Sequence, residues 1–208
     1  MFMTATLPAR RFVPGFFLLL FALPLLSACG INAIPTQQEQ AKAAWSEVLN
    51  QYQRRADLIP NLVATVKGYA AQEKDVLTSV VEARAKATQT QVNVNTPTNP
   101  DAFKAFQQNQ AGLTSALSRL LAVVENYPDL KSNQNFLALQ AQLEGTENRI
   151  AVARRDYIEA VRVYNTSLRT FPTMLWAKFW YTDAKPMQSF TIPEEKMETP
   201  KVNFDSKN

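Results

Sequence analysis

The chain has 208 residues, 46% of them apolar, with 5 glycines, 12 prolines, one cysteine and no histidine, which bounds it to one domain with an appended segment. Its formal charge is +4, and Arg10 and Arg11 are the only charged residues before Cys29, so a chain cut there carries roughly +2, too little for a nucleic-acid surface. Lacking histidine and having one thiol, it has neither the usual ligands of a zinc site, nor the usual base of a hydrolase triad, nor an intramolecular disulfide; carboxylate-only chemistry, with magnesium or on glycosides, is the enzymatic route left open.

Residues 1–28 read as a signal peptide. Arg10 and Arg11 form a basic start, and Phe12 to Leu26 is an apolar run shorter than the ~20 residues that span a bilayer, interrupted by Pro14, Gly15 and Pro24. Leu26-Ser27-Ala28-Cys29 then has the form of a bacterial lipobox. Its small residues fit a peptidase cleft, and the thiol of Cys29 accepts diacylglycerol. The amine freed by cleavage takes a further acyl chain such as palmitate, and several chains anchor where one alone is marginal. Gly30 stands where an aspartate would signal retention, so the resemblance to Gram-negative lipoproteins implies the periplasmic face of the outer membrane. The alternative is an uncleaved anchor in the inner membrane with an incidental Cys29.

Residues 29–40, polar and holding Pro35, are expected to be a lipidated tether, followed by a bundle over 41–170. The first helical pattern runs from about Thr36 to Thr88. One seam has Trp45, Tyr52, Ile59, Val66, Val80 and Ala87 at heptad spacing with Glu73 interrupting; its companion is Leu49, Ala56, Val63, Ala70 and Leu77. Pro60 predicts a kink or a break between Ala56 and Pro60, giving three to four long helices. Residues 89–99 read as a loop. Asn99-Pro100-Asp101 predicts a cap with proline at the first helical position, and the second helix runs to about Asn126 on the seams Phe103, Gln110, Leu117, Val124 and Phe106, Leu113, Leu120, Tyr127. The third, from about Leu130 to Arg169, has the cleanest period: Phe136, Leu143, Ile150, Tyr157, Tyr164 and Phe171, beside the smaller Leu139, Thr146, Ala153, Ala160 and Ser167. The fold class is therefore all-α, an elongated antiparallel up-and-down bundle.

Two stretches carry a family resemblance. Trp45 to Ala70 (WSEVLNQYQRRADLIPNLVATVKGYA) and Tyr127 to Asn165 (YPDLKSNQNFLALQAQLEGTENRIAVARRDYIEAVRVYN) resemble the two conserved blocks of LemA-family proteins, and with their spacer the resemblance covers about residues 40–172. It implies an all-helical bundle on an N-terminal membrane anchor with no established enzymatic activity. Three features depart from the family's pattern. A lipobox replaces the uncleaved transmembrane helix of many relatives, Tyr157-Ile158 stands where Tyr-Asn is frequent, and the stretch Met174 to Phe204 is unlike the usual short tail.

Two groups of residues remain as candidate sites. Arg54, Arg55, Asp57 and Asn61 cluster around Pro60, and Glu147 and Arg154 lie seven apart on the third helix. They suit either a patch that recognises a partner or interhelical bridges that fix register, and long bundles need the second. Residues 171–208 combine an aromatic segment with a mostly extended tail. In Phe171 to Tyr181, Trp176, Phe179 and Trp180 stand about one turn apart and suit a bundle cap, a membrane or a partner. The expected function is a membrane-anchored, non-enzymatic scaffold or interaction protein of the cell envelope. It would need no cofactor beyond the lipid on Cys29 and no metal, would bind no nucleic acid, and would act on an envelope protein. The competing reading is an envelope hydrolase or ligand-binding protein whose carboxylates line a cleft on the bundle.

Overall fold

A computed structural model describes residues 30–89 and 93–191. Cys29 and the expected signal peptide before it, and the tail from residue 192, lie outside the described residues. The elements are α1 (Ala33–Tyr69), α2 (Lys74–Gln89), a 3-10 turn (Thr96–Thr98), α3 (Pro100–Val124), the single turn α4 (Pro128–Lys131), α5 (Gln134–Ser167) and α6 (Thr173–Phe179). Among the described residues there is no strand. The protein is an all-helical bundle.

Helix α1 begins earlier than the sequence predicts, and of the kink or break expected at Pro60 the break does not occur. The stretch expected to be a tether is helical from Ala33, and Ile34 within it is fully buried. Pro35 is tolerated because the first-turn amides have no intrahelical partner to lose. Nor does the helix break at Pro60: it runs unbroken through that residue for 37 residues, about 55 Å. Proline deprives the Ala56 carbonyl of its donor one turn on, and the Arg84 guanidinium of α2 supplies a replacement, its Nε donating to that carbonyl at 2.8 Å. The break falls instead at Ala70–Glu73, where the Ala70 amide closes α1 on the Val66 carbonyl at 2.8 Å. Glu73, the interruption in the seam, marks this turn and accepts a hydrogen bond from the Tyr127 hydroxyl at 2.8 Å.

The later helices begin as their caps dictate. Asn99 Oδ1 accepts from the amides of Asp101 and Ala102, with Pro100 at the first helical position, and Asn133 Oδ1 accepts from Asn135 and Phe136. The Asn133 side chain also donates to the Tyr69 hydroxyl at 2.9 Å, joining the start of α5 to the end of α1. On the cleanest seam Phe136, Leu143, Ile150, Tyr157 and Tyr164 are buried, but Phe171 is 76% exposed. Helix α5 has ended at Ser167, so the seventh-residue spacing no longer points Phe171 inward.

The core has two parts. One gathers Ile59, Leu62, Val66, Leu77, Val80, Leu113, Leu120, Leu130, Phe136 and Leu143 near the α1–α2 turn. The other is aromatic: the Trp45 ring lies between 5.1 and 6.1 Å from the ring centroids of Phe103, Phe106, Tyr157 and Phe190. Such tilted and edge-to-face contacts add to simple area burial. Residues 184–191 contribute to this end although they form neither helix nor strand. Asn165 exchanges two hydrogen bonds with the Met187 backbone at 2.8 and 2.9 Å, and the Gln188 amide donates to the Pro97 carbonyl at 2.7 Å. Met187 and Phe190 are thereby buried.

Candidate functional site

Between the two cores lies a polar layer centred on Arg55, which is 1% exposed. Its position follows from helix geometry, since Arg55 stands beside Tyr52, Ala56 and Ile59 on the buried face of α1. Its Nη1 donates to Glu147 Oε1 on α5 at 2.9 Å and to Thr114 Oγ1 on α3 at 3.0 Å. Its Nη2 donates to Gln110 Oε1 at 2.6 Å and to the Gln110 carbonyl at 3.3 Å. Gln110 Nε2 in turn reaches the Ala87 carbonyl of α2 at 3.5 Å, the long end of the hydrogen-bond range. One guanidinium thus joins α1, α3 and α5, with α2 linked through Gln110.

Of the residues singled out from the sequence, the structure brings Arg55 and Glu147 together as an ion pair. Arg54, Asp57 and Asn61 are exposed and point away from this layer; Asp57 accepts from Gln53 at 2.8 Å. Arg154 is half-buried, its guanidinium carbon 4.4 Å from the Phe190 ring centroid. Burial pushes the Tyr52 hydroxyl above its ordinary pKa, with Arg154 and then Arg55 opposing the shift. Gln110, Thr114 and Phe190 were missed as site residues. Gln110 alone carried a signal, as the polar residue on an otherwise apolar seam of α3.

In chemical terms both terminal nitrogens of the guanidinium are engaged by neighbouring helices, while its buried Nε has no hydrogen-bond partner. The arginine donates to a carboxylate, an amide and a hydroxyl on neighbouring helices. An open cleft of about 240 Å³ beside it is lined by Leu49, Asn50, Tyr52, Gln53 and Phe106, among others, and by no carboxylate. A second cleft, of about 350 Å³ between α2 and α3, includes Glu82 as its one carboxylate. Neither offers the pair of carboxylates that glycoside hydrolysis uses. Among the described residues no three His, Cys, Asp or Glu side chains group as metal ligands.

The aromatic segment is divided by its surroundings. Trp176 packs against the aromatic core, with its ring centroid 5.8 Å from that of Trp180. Phe179 and Trp180 are 70% and 68% exposed. Gly30 sits against the same helix: a side chain there would begin 3.5 Å from Trp176 Nε1 and 3.8 Å from Thr173 Cγ2.

The chain is 27% identical over 159 residues to magnetosome protein MamQ 2 of Paramagnetospirillum magneticum, covering 68% of this chain and 58% of that protein. Magnetosome protein MamQ of Magnetospirillum gryphiswaldense is 27% identical over 157 residues, with the same coverage. Protein LemA of Metamycoplasma hominis is 23% identical over 142 residues, 68% of this chain and 61% of that one. The chain therefore spans about three-fifths of the length of these relatives. The LemA family profile matches residues 44–204, so the C-terminal stretch that the sequence reading set apart lies inside the matched region. Within that stretch Met187 and Phe190 are buried against the aromatic core. By this match, which takes in both stretches of resemblance and most of the chain, the protein belongs to the LemA family.

Proposed function

We propose that the protein is a lipid-anchored scaffold of the cell envelope, held at the membrane by acylated Cys29 and acting by binding other proteins rather than by catalysis. The observation that carries the non-catalytic reading is the Arg55 layer. The strongest ionic group inside the bundle is held by partners on the neighbouring helices, where it fixes their register. The lipobox and the apolar run before it support the anchor, the periplasmic placement and the outer membrane. The pairings Trp45–Tyr157, Arg55–Glu147 and Tyr69–Asn133 support an antiparallel order of α1 and α5, and the donor missing at Pro60 supports a bend there.

In-cell photocrosslinking tests this, with a crosslinking amino acid placed at Val152 or Ile158 on the exposed side of α5. The scaffold reading expects discrete protein adducts that persist when Glu82 or Glu147 is changed to Gln. A hydrolytic activity in the purified chain that disappears with either substitution would overturn it.

A further inference from the structure

Elsewhere on the described surface, exposed large apolar residues are spread over α1, α2, α5 and the loop before α3: Tyr69, Val81, Val94, Leu137, Val152 and Ile158. Between residues 171 and 180 there are five, Phe171, Met174, Leu175, Phe179 and Trp180. Helix α6 explains the arrangement. Trp176 and Ala177 turn inward onto the aromatic core, so positions 174, 175, 178 and 179 face out. On a helix packed against a core the outward positions are normally polar; here only Lys178 is. Scattered exposed apolar residues are ordinary, but a contiguous aromatic patch marks a surface that something covers.

Two further observations identify the cover. The first is where the chain enters the fold. Gly30 is bonded directly to Cys29 and packs against Trp176 and Thr173 of this same helix. The point at which any N-terminal anchor joins the bundle is therefore beside the patch. The second is charge. Arg169, Lys178 and Lys185 are exposed around the patch, with Asp183 as the acidic residue among them, a balance that suits anionic headgroups. Tryptophan and phenylalanine beside basic residues are the side chains that settle at the boundary between acyl chains and headgroups.

We infer that the face made by Phe171, Met174, Leu175, Phe179 and Trp180 docks onto the surface of the lipid bilayer. It is a second membrane contact, additional to the anchor, and it rests on the reading that the N-terminus is held at a membrane. The face fixes orientation as well as affinity. A single flexible linkage would let the bundle swivel, whereas a linkage and an inserted face together set the aromatic end of the bundle at the bilayer. The α1–α2 turn, at the other end of a helix about 55 Å long, then projects away from it.

The test uses the full chain as cells produce it, reconstituted into vesicles of phosphatidylethanolamine and phosphatidylglycerol with or without brominated acyl chains. The tryptophans are Trp45, which is fully buried, Trp176, which packs inward on the aromatic core, and Trp180 at the patch, so bromine quenching reports chiefly on Trp180 at the end of α6. The expected result is a fall in emission in brominated vesicles, most of which is lost in Trp180→Phe, a change that keeps an exposed aromatic ring and leaves the core untouched. Protein that floats with the vesicles but emits equally with and without bromine overturns the inference. So does shielding of Trp180 from both bromine and aqueous acrylamide, which would mean that protein covers it. Intact mass, measured on the same sample, separates this from the anchor reading. Acylated chain with unquenched Trp180 sinks the inference alone, and quenched Trp180 in an unacylated precursor sinks the acyl anchor alone.

Discussion

The continuity of α1 through Pro60 depends on a contact made 24 residues later in the chain. Ala56 is 3% exposed, so water has little access to its carbonyl, and the Arg84 Nε at 2.8 Å stands in for the amide that proline lacks. Arg84→Met keeps the length of the side chain and removes the donor. A buried carbonyl left unsatisfied costs about 1–3 kcal/mol, and a hydrogen bond from a charged donor contributes about 1.5–3 kcal/mol, so a loss of about 2 kcal/mol is expected. Pro60→Ala returns the helical donor to the Ala56 carbonyl. In that background Arg84→Met should cost no more than about 0.5 kcal/mol, giving a coupling of about 1.5 kcal/mol between two residues whose side chains need not touch. The assay is urea denaturation of a chain beginning at Gly30, followed by helical circular dichroism, with the four proteins compared at equal slope. Starting later would discard the buried Ile34. Equal costs for Arg84→Met in both backgrounds would refute the reasoning, because the Arg84 contact would then be independent of the missing amide.

Other positions give sharper contrasts. Ile150→Asp places a charge on the buried seam of α5 and should cost several kcal/mol, whereas Val152→Asp, two residues on and 48% exposed, should change stability by less than about 0.5 kcal/mol; equal effects would contradict the seam. Glu147→Leu strands the Arg55 guanidinium and should cost about 2 kcal/mol, below the ~3–5 kcal/mol of a fully buried pair because Glu147 is half in water. Adding Arg55→Met should recover most of that loss in the same denaturation assay. Burial raises the pKa values of Tyr52, Tyr157 and Tyr164 above the ordinary 10.0, so the fold favours their neutral forms. The unfolded chain begins to release these protons near that ordinary value while the folded chain retains them. Stability should therefore be level below it and fall as pH rises further. Absorbance at a phenolate wavelength should show these tyrosines ionising together with loss of helix, not before it.

Much of the bundle was legible because helices that pack along their length repeat their apolar residues every seven positions, and most of those positions are buried, with Phe171, past the end of α5, left exposed. The location of the first turn was not. Pro60 is the strongest local breaker in that stretch, and Glu73 only a missing apolar residue, so local reasoning placed the interruption at the proline. What keeps the helix intact is the Arg84 contact, which has no local sequence signature. The Arg55 layer was half visible. A charged residue next to buried positions drew attention, and Glu147 lay close to the core seam, but Gln110 and Thr114 become its partners only when three helices meet. Met187 and Phe190 gave no periodic signal at all. They lie in a stretch without helix or strand, and their burial comes from Asn165, Tyr157 and Pro97 holding the tail backbone in place.

Anchoring through Cys29 is tested most directly by growing cells with labelled palmitate and following this chain through membrane and soluble fractions. Wild type should carry label at the mass of a chain that begins at Cys29, and Cys29→Ser should carry none. Label absent from wild type, with the chain recovered from membranes at its full precursor mass, would contradict a lipid anchor and leave an uncleaved N-terminal segment in its place.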